Sequence, residues 1–131
     1  MALPTIDEIR SAHKTLVEWR YELRPVLRGY ASRTLYIDLN QNVVASRPVT
    51  QKMKETFTGG KGFGLWLLWN GISGQTRWND PENEIVIAGG PIGGITAYPG
   101  SGKCTVVTIS PLTHCPVDSN GGGYFGPYLK F

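Results

Sequence analysis

Near the C-terminal end the chain runs Asn120-Gly121-Gly122-Gly123-Tyr124-Phe125-Gly126. Three consecutive glycines strip the backbone of side chains, and glycine also adopts φ > 0 without steric cost. The segment that follows, Tyr124 to Phe131, reads as the start of a helix. Free N–H groups at such a start, aided by the helix dipole, make a natural anion site. The chain has 17 glycines in 131 residues, well above the average usage of about 7%. Only Gly29 precedes residue 59, so 16 glycines crowd into the second half. No Gly-X-Y period accompanies them and 40% of residues are hydrophobic, which excludes a fibrous or disordered chain. The length suits one domain.

Two further segments share this character, Gly59-Gly60-Lys61-Gly62-Phe63-Gly64 and the stretch from Gly89 to Lys103. Lys61 and Lys103 each sit beside glycines and are candidates to meet a phosphate. Two readings stand at this point: tight turns in a loop-rich β domain, or backbone laid against a phosphate-bearing ligand. Standard nucleotide signatures are absent. A P-loop requires Gly where Ala97 stands and Ser or Thr where Cys104 stands, and a dinucleotide fingerprint after Gly62 and Gly64 requires Gly at Leu67. Asp118 is a candidate base, although a carboxylate beside Asn120 also reads as a turn residue.

Charge and cysteine content exclude other classes. The net charge is +3, and residues 59–131 hold four Lys/Arg and four Asp/Glu, so the glycine-rich half is no basic groove for nucleic acid. Cys104 and Cys115 are too few for a disulfide framework or a four-cysteine metal site, and His114 beside Cys115 has no partner pair at ligand spacing. No secretory signal is visible, and the apolar run Phe63–Trp69 is far short of a membrane span, so the chain reads as soluble and cytoplasmic.

Local patterns predict the elements. Thr5 and Glu8 form a capping box, and Ile9, Ala12, Leu16, Trp19, Leu23 and Val26 recur at helical spacing, predicting an amphipathic helix that ends near Leu23 ahead of Pro25. Arg33–Leu39 and Val43–Val49 predict a hairpin across Asn40–Asn42. Gln51–Phe57 and Gly62–Asn70 predict helices. Glu84–Ala88 and Cys104–Ile109 predict strands. The chain ends on apolar Phe131 inside a helical pattern, which predicts a first piece of something longer.

Read together, Arg33-Thr-Leu-Tyr-Ile-Asp-Leu, Gly59-Gly-Lys-Gly-Phe-Gly, Asn83-Glu-Ile-Val-Ile-Ala-Gly-Gly-Pro91, Thr105-Val-Val-Thr-Ile-Ser-Pro-Leu-Thr113 and Asn120-Gly-Gly-Gly-Tyr-Phe-Gly126 resemble the N-terminal domain of the aldehyde:ferredoxin oxidoreductases. These are tungsten enzymes with a bis-pterin cofactor of the molybdopterin type and a [4Fe-4S] cluster. The resemblance implies an α+β, mainly β domain of two packed sheets over residues 33–131, binding the pterins, with residues 1–32 as a helical extension. It implies that Asn120 contributes to a magnesium site bridging the pterin phosphates. Gly121, Gly122 and Gly123 then match backbone that contacts the cofactor. Lys103 matches a position commonly held by arginine between pterin and cluster; lysine keeps the charge and loses the bidentate fork. No catalytic residue is assigned within the chain, because the acid–base groups and cluster cysteines of the family lie further along. The implied activity is oxidation of an aldehyde to a carboxylic acid, with electrons passing to ferredoxin. The isolated chain is expected to be silent. Implied partners are the remaining domains or a complementary chain, ferredoxin or an iron–sulfur subunit, and a second copy of the chain; the N-terminal stripe is a candidate docking face. A non-catalytic phosphate-ligand-binding or assembly subunit is the rival reading.

Overall fold

The computed structural model describes residues 3–131. In chain order its elements are α1 (Ile6–Ser11), β1 (Arg33–Asp38), β2 (Val43–Pro48), α2 (Gln51–Phe57), α3 (Lys61–Gly71), β3 (Val86–Ala88), β4 (Cys104–Ile109), β5 (Pro116–Gly121) and α4 (Phe125–Lys130). The architecture is mixed, with a two-stranded sheet β1-β2 and a three-stranded sheet β3-β4-β5, both antiparallel.

The hairpin forms where its turn chemistry lies. Asp38 Oδ1 accepts the N–H groups of Asn40 and Gln41 at 2.9 and 3.0 Å, and Asn42 adopts φ 54. Helix α2 covers the span that its sequence predicts. Thr50 caps it by accepting the Met53 N–H at 3.2 Å, and Thr58 at φ 59 ends it.

Helix α3 lies across the three-stranded sheet. Gly64 faces Val107 so closely that a Cβ there would stand 3.0 Å from the Val107 Cβ. Leu68 is 1% exposed and Val107 0%; with Val86 they form the core, flanked by Leu65, Leu67 and Ile72. This core is small, and the sheet is what gives α3 a stable place to lie.

Two predicted elements come out much shorter than the sequence reading. The helix predicted to run to about Leu23 stops at Ser11. Its capping box forms as expected, with Thr5 and Glu8 bonded in both directions. Beyond it the apolar stripe finds nothing to pack on: Leu16, Trp19 and Leu23 stay exposed. An unpacked helix of that length is marginal in water. Local contacts hold the chain otherwise, with Trp19 stacked on Tyr21 at 5.6 Å, the Arg33 guanidinium 5.2 Å from the Tyr21 ring, and Arg33 Nη1 donating to Glu22 O at 2.8 Å. The strand predicted at Glu84–Ala88 keeps only Val86–Ala88. Before it, Asn83 spends its side-chain amide on Trp78 O (2.9 Å) and Thr108 Oγ1 (3.1 Å).

Glu84 lies at the C-terminal end of α3, where a Cβ on Gly71 would strike its carboxylate. Burial pushes its pKa above the usual 4.5, against a smaller opposing pull from Arg47. A raised carboxyl favours the folded state while protonated, and that stability is lost as pH rises from 4.5 through the raised value. Glu84→Gln is therefore expected to flatten this part of the stability profile and to be the more stable form near neutrality. Urea unfolding between about pH 4 and pH 8 checks it, and parallel profiles for the two proteins would contradict it.

Candidate functional site

The antiparallel register of β4 and β5 builds the site. Cys104 pairs with Gly121 and Thr105 with Asn120, so Lys103 and Gly122–Gly123 meet just beyond the paired strands. At that point the turn before β4 presses on the segment after β5: a Cβ on Gly102 would lie 3.0 Å from the Gly123 carbonyl carbon and inside the envelope of its oxygen. The sequence-derived candidates Lys103, Asn120, Gly121, Gly122 and Gly123 therefore gather at one end of one sheet.

The other two glycine segments reach the same end. Gly60 donates its N–H to Gly89 O at 2.9 Å. A Cβ on Gly60 would stand 3.8 Å from Thr105 Oγ1, and one on Gly59 would stand 3.0 Å from the Gly90 Cα. The Gly89–Gly94 loop is further held by Lys130, whose ammonium donates to Pro91 O at 2.7 Å and Gly93 O at 2.8 Å. Partial burial lowers the Lys130 pKa. Gly90, Gly93, Gly100, Ser101 and Lys103 line an open cleft of about 410 Å³.

Side-chain chemistry here is sparse, and the backbone is bare. Around Gly89, Gly90, Gly100, Gly122 and Gly123 a Cβ would meet nothing within 4 Å. Lys103 is exposed and takes part in no ion pair among the described residues. Asn120 Oδ1 accepts the Thr105 hydroxyl at 3.2 Å, which orients the amide and leaves one oxygen lone pair and the NH₂ free.

Three sequence expectations change. Asn120 and Gly121 lie in strand β5, so Gly122, Gly123 and Tyr124 bridge to α4, a six-residue helix without a side-chain cap. The backbone expected to offer an anion site from Asn120 onward therefore begins as a strand end and runs on into the start of α4. Lys61 and Asp118 are not free of each other, because Lys61 Nζ lies 2.6 Å from Asp118 Oδ1. At that partly exposed position the pair adds little stability, below about 1 kcal/mol. Asp118 is not a turn residue either: it lies in β5 opposite Val107, a strand the sequence does not announce because Pro-Val-Asp-Ser-Asn-Gly carries turn-forming residues. Pro116 survives at the first position of an edge strand.

Ser110-Pro111-Leu112-Thr113 turns out to be the reversal between β4 and β5. Buried Ser110 Oγ accepts the N–H groups of Leu112 and Thr113 at 3.1 and 3.2 Å, and Ser110 N–H donates to Cys115 O at 2.9 Å. Cys104 is buried at one end of this strand pair and Cys115 is exposed past the other. A β4 strand of this length separates them by roughly 17 Å, too far to ligate one cluster. Among the described residues no three His, Cys, Asp or Glu side chains gather as a metal site. A magnesium ion held chiefly by phosphate oxygens needs few protein ligands, so Asn120 and the open glycine backbone suit a phosphate-bearing cofactor of that kind. No helix among them is long and apolar enough to cross a membrane.

Residues 34–131 match the family model described as aldehyde ferredoxin oxidoreductase, N-terminal domain. The tungsten-containing aldehyde ferredoxin oxidoreductases of Pyrococcus horikoshii and Pyrococcus furiosus are each 33% identical over 103 residues, covering 79% of this chain and 17% of the relative. An aliphatic sulfonate oxidoreductase, WOR-like subunit, of Pyrococcus furiosus is 31% identical over 105 residues. Among solved structures, the active site complex BamBC of benzoyl coenzyme A reductase, in complex with 1,5-dienoyl-CoA, superposes with a TM-score of 0.73 at 27% identity, over 77% of this chain and 15% of that one. The chain thus spans about a sixth of the length of these relatives (17% and 15%). With the motifs gathered at one sheet end and the match running through all of them, the chain belongs to the aldehyde ferredoxin oxidoreductase family and corresponds to its N-terminal domain.

Proposed function

We propose that this chain is the pterin-binding portion, residues 33–131, of a tungsten oxidoreductase that converts an aldehyde and water to a carboxylic acid, two protons and two electrons, the electrons leaving through a [4Fe-4S] cluster to ferredoxin. The observation that carries the reading is the β4–β5 register, which brings Lys103, Asn120 and Gly121–Gly123 together beside the two other glycine segments. When bound, the tungsten bis-pterin supplies the redox chemistry. The chain's own residues bind and orient. Bare backbone at Gly122 and Gly123 would let N–H groups approach phosphate oxygens, Lys103 would add a positive charge that no ion pair takes up among the described residues, and Asn120, oriented by Thr105, would offer an amide oxygen to a magnesium ion bound with the phosphates. Cluster ligands come from the remaining domains or a complementary chain, and the 131-residue chain alone is inactive.

Gly122 gives the sharpest test. Its φ is ordinary and a Cβ there meets open space, so Gly122→Leu should leave the stability of the 131-residue chain within about 0.5 kcal/mol of the parent. In the assembled enzyme, produced with tungstate, the same substitution should lower bound tungsten and aldehyde-dependent dye reduction at least tenfold. Lys103→Ala should weaken cofactor retention less severely. Full tungsten occupancy in Gly122→Leu would remove this backbone from the cofactor surface.

A further inference from the structure

The turn from Leu27 to Ser32 precedes the matched residues 34–131, yet it touches two of the three glycine segments. Leu27 and Tyr30 exchange backbone hydrogen bonds, both 3.0 Å. Gly29, at φ +83, lies flat on the next loop: a Cβ there would stand 2.8 Å from the Pro91 carbonyl carbon and 2.9 Å from its Cα. The Tyr30 hydroxyl donates to Thr58 O at 2.6 Å, and its ring stacks on Phe63 at 6.2 Å. Lys54 stands 5.1 Å from the Tyr30 ring centre and donates to Ser32 Oγ at 3.0 Å. Thr58 immediately precedes Gly59 and Gly60, and Gly60 is the residue bonded to Gly89 O. The turn thus grips both sides of that junction.

The backbone here is costly. Arg28, Gly29 and Ser32 all have positive φ, at 52, 83 and 58. Non-glycine residues persist in that region only where their surroundings over-determine them. The contacts of Tyr30, Gly29 and Lys54 are those surroundings.

We infer that the Leu27–Ser32 turn is a strap that positions the glycine loops, with Tyr30 and Gly29 as positioning residues that fix the Gly60–Gly89 junction against Pro91. The strap assigns part of the N-terminal extension to the site rather than to a separate docking arm. Its value for cofactor binding rests on the proposed function above; the strap itself does not.

Amide hydrogen exchange on the 131-residue chain tests it. Tyr30→Phe keeps the ring and deletes the hydroxyl. The amides of Gly60 and Gly93 should then exchange about tenfold faster, the change expected for one lost hydrogen bond, while Val107 in the β4–β5 ladder keeps its rate. Gly29→Ala, which drives a methyl into Pro91, should enlarge the effect at Gly93. Unchanged rates at Gly60 would overturn the strap. Uniform acceleration that includes Val107 would also overturn it, because it reports general destabilisation. If the local acceleration appears and the assembled Tyr30→Phe enzyme still holds its full tungsten, the strap stands and the cradle reading fails.

Discussion

Gly102→Ala is expected to be among the most damaging single-methyl additions in the chain. The new Cβ would fall within the envelope of the Gly123 carbonyl oxygen and 3.0 Å from its carbon. The obstacle is backbone, so no side-chain rotation relieves it. Either the Gly100–Lys103 turn or the Gly121–Gly123 strand end must move, and both belong to the candidate site. Overpacking of this kind costs about 1–3 kcal/mol, and a domain of this size loses several degrees of Tm for each kcal/mol. The expected result is a clear drop in Tm together with loss of the close approach between the two segments. Gly74→Ala is the matched control, since a Cβ there meets nothing within 4 Å. Equal melting temperatures for Gly102→Ala and Gly74→Ala would show that the two segments do not press on each other.

Leu68→Ala should cost more. Leu68 is 1% exposed at the centre of the contact between α3 and the three-stranded sheet, beside Val86 and Val107. Truncating a buried leucine costs about 2–5 kcal/mol through lost transfer energy and the cavity left behind. Total stability is typically about 5–15 kcal/mol, and the small core places this domain toward the lower end. The variant is expected to be largely unfolded in urea concentrations that leave the parent intact. The adjacent Trp69 is 83% exposed, and Trp69→Ala should stay within about 0.5 kcal/mol of the parent. Similar urea midpoints for the two variants would place the core elsewhere.

How much of this was legible in the sequence depended on whether the signal was local. Gln51–Phe57 carries its own cap and stop, and Asp38–Asn42 its own turn, so α2 and the hairpin form where local chemistry predicts. The Ile9–Val26 stripe has good periodicity, but periodicity presumes a surface to pack on, and from Ile9 to Leu23 its residues stay exposed. Strand β5 has the opposite character: Asp, Ser, Asn and Gly disfavour a strand locally, and pairing with β4 overrides them. The site shows the same division. Lys103, Asn120 and the glycine run could be picked out by type and order, and the family followed from them. Their meeting with Gly59–Gly60 and Gly89–Gly90 depends on strand register. The Lys61–Asp118 pair joins residues far apart in the chain, which no local pattern displays. Tyr30 and Gly29 carried no signal beyond being a glycine and an aromatic outside the recognised motifs.

The grip of Lys130 on Pro91 and Gly93 also sets a timetable. It closes a contact across 39 residues, so the Gly89–Gly94 loop gains its last anchor only after residue 130 has been made and has left the ribosome. At about 5–20 residues per second of synthesis, the hairpin and α2 have seconds to fold while that loop is still untethered. The framework of hairpin and α2 can therefore stand before the loop beside it is tied down.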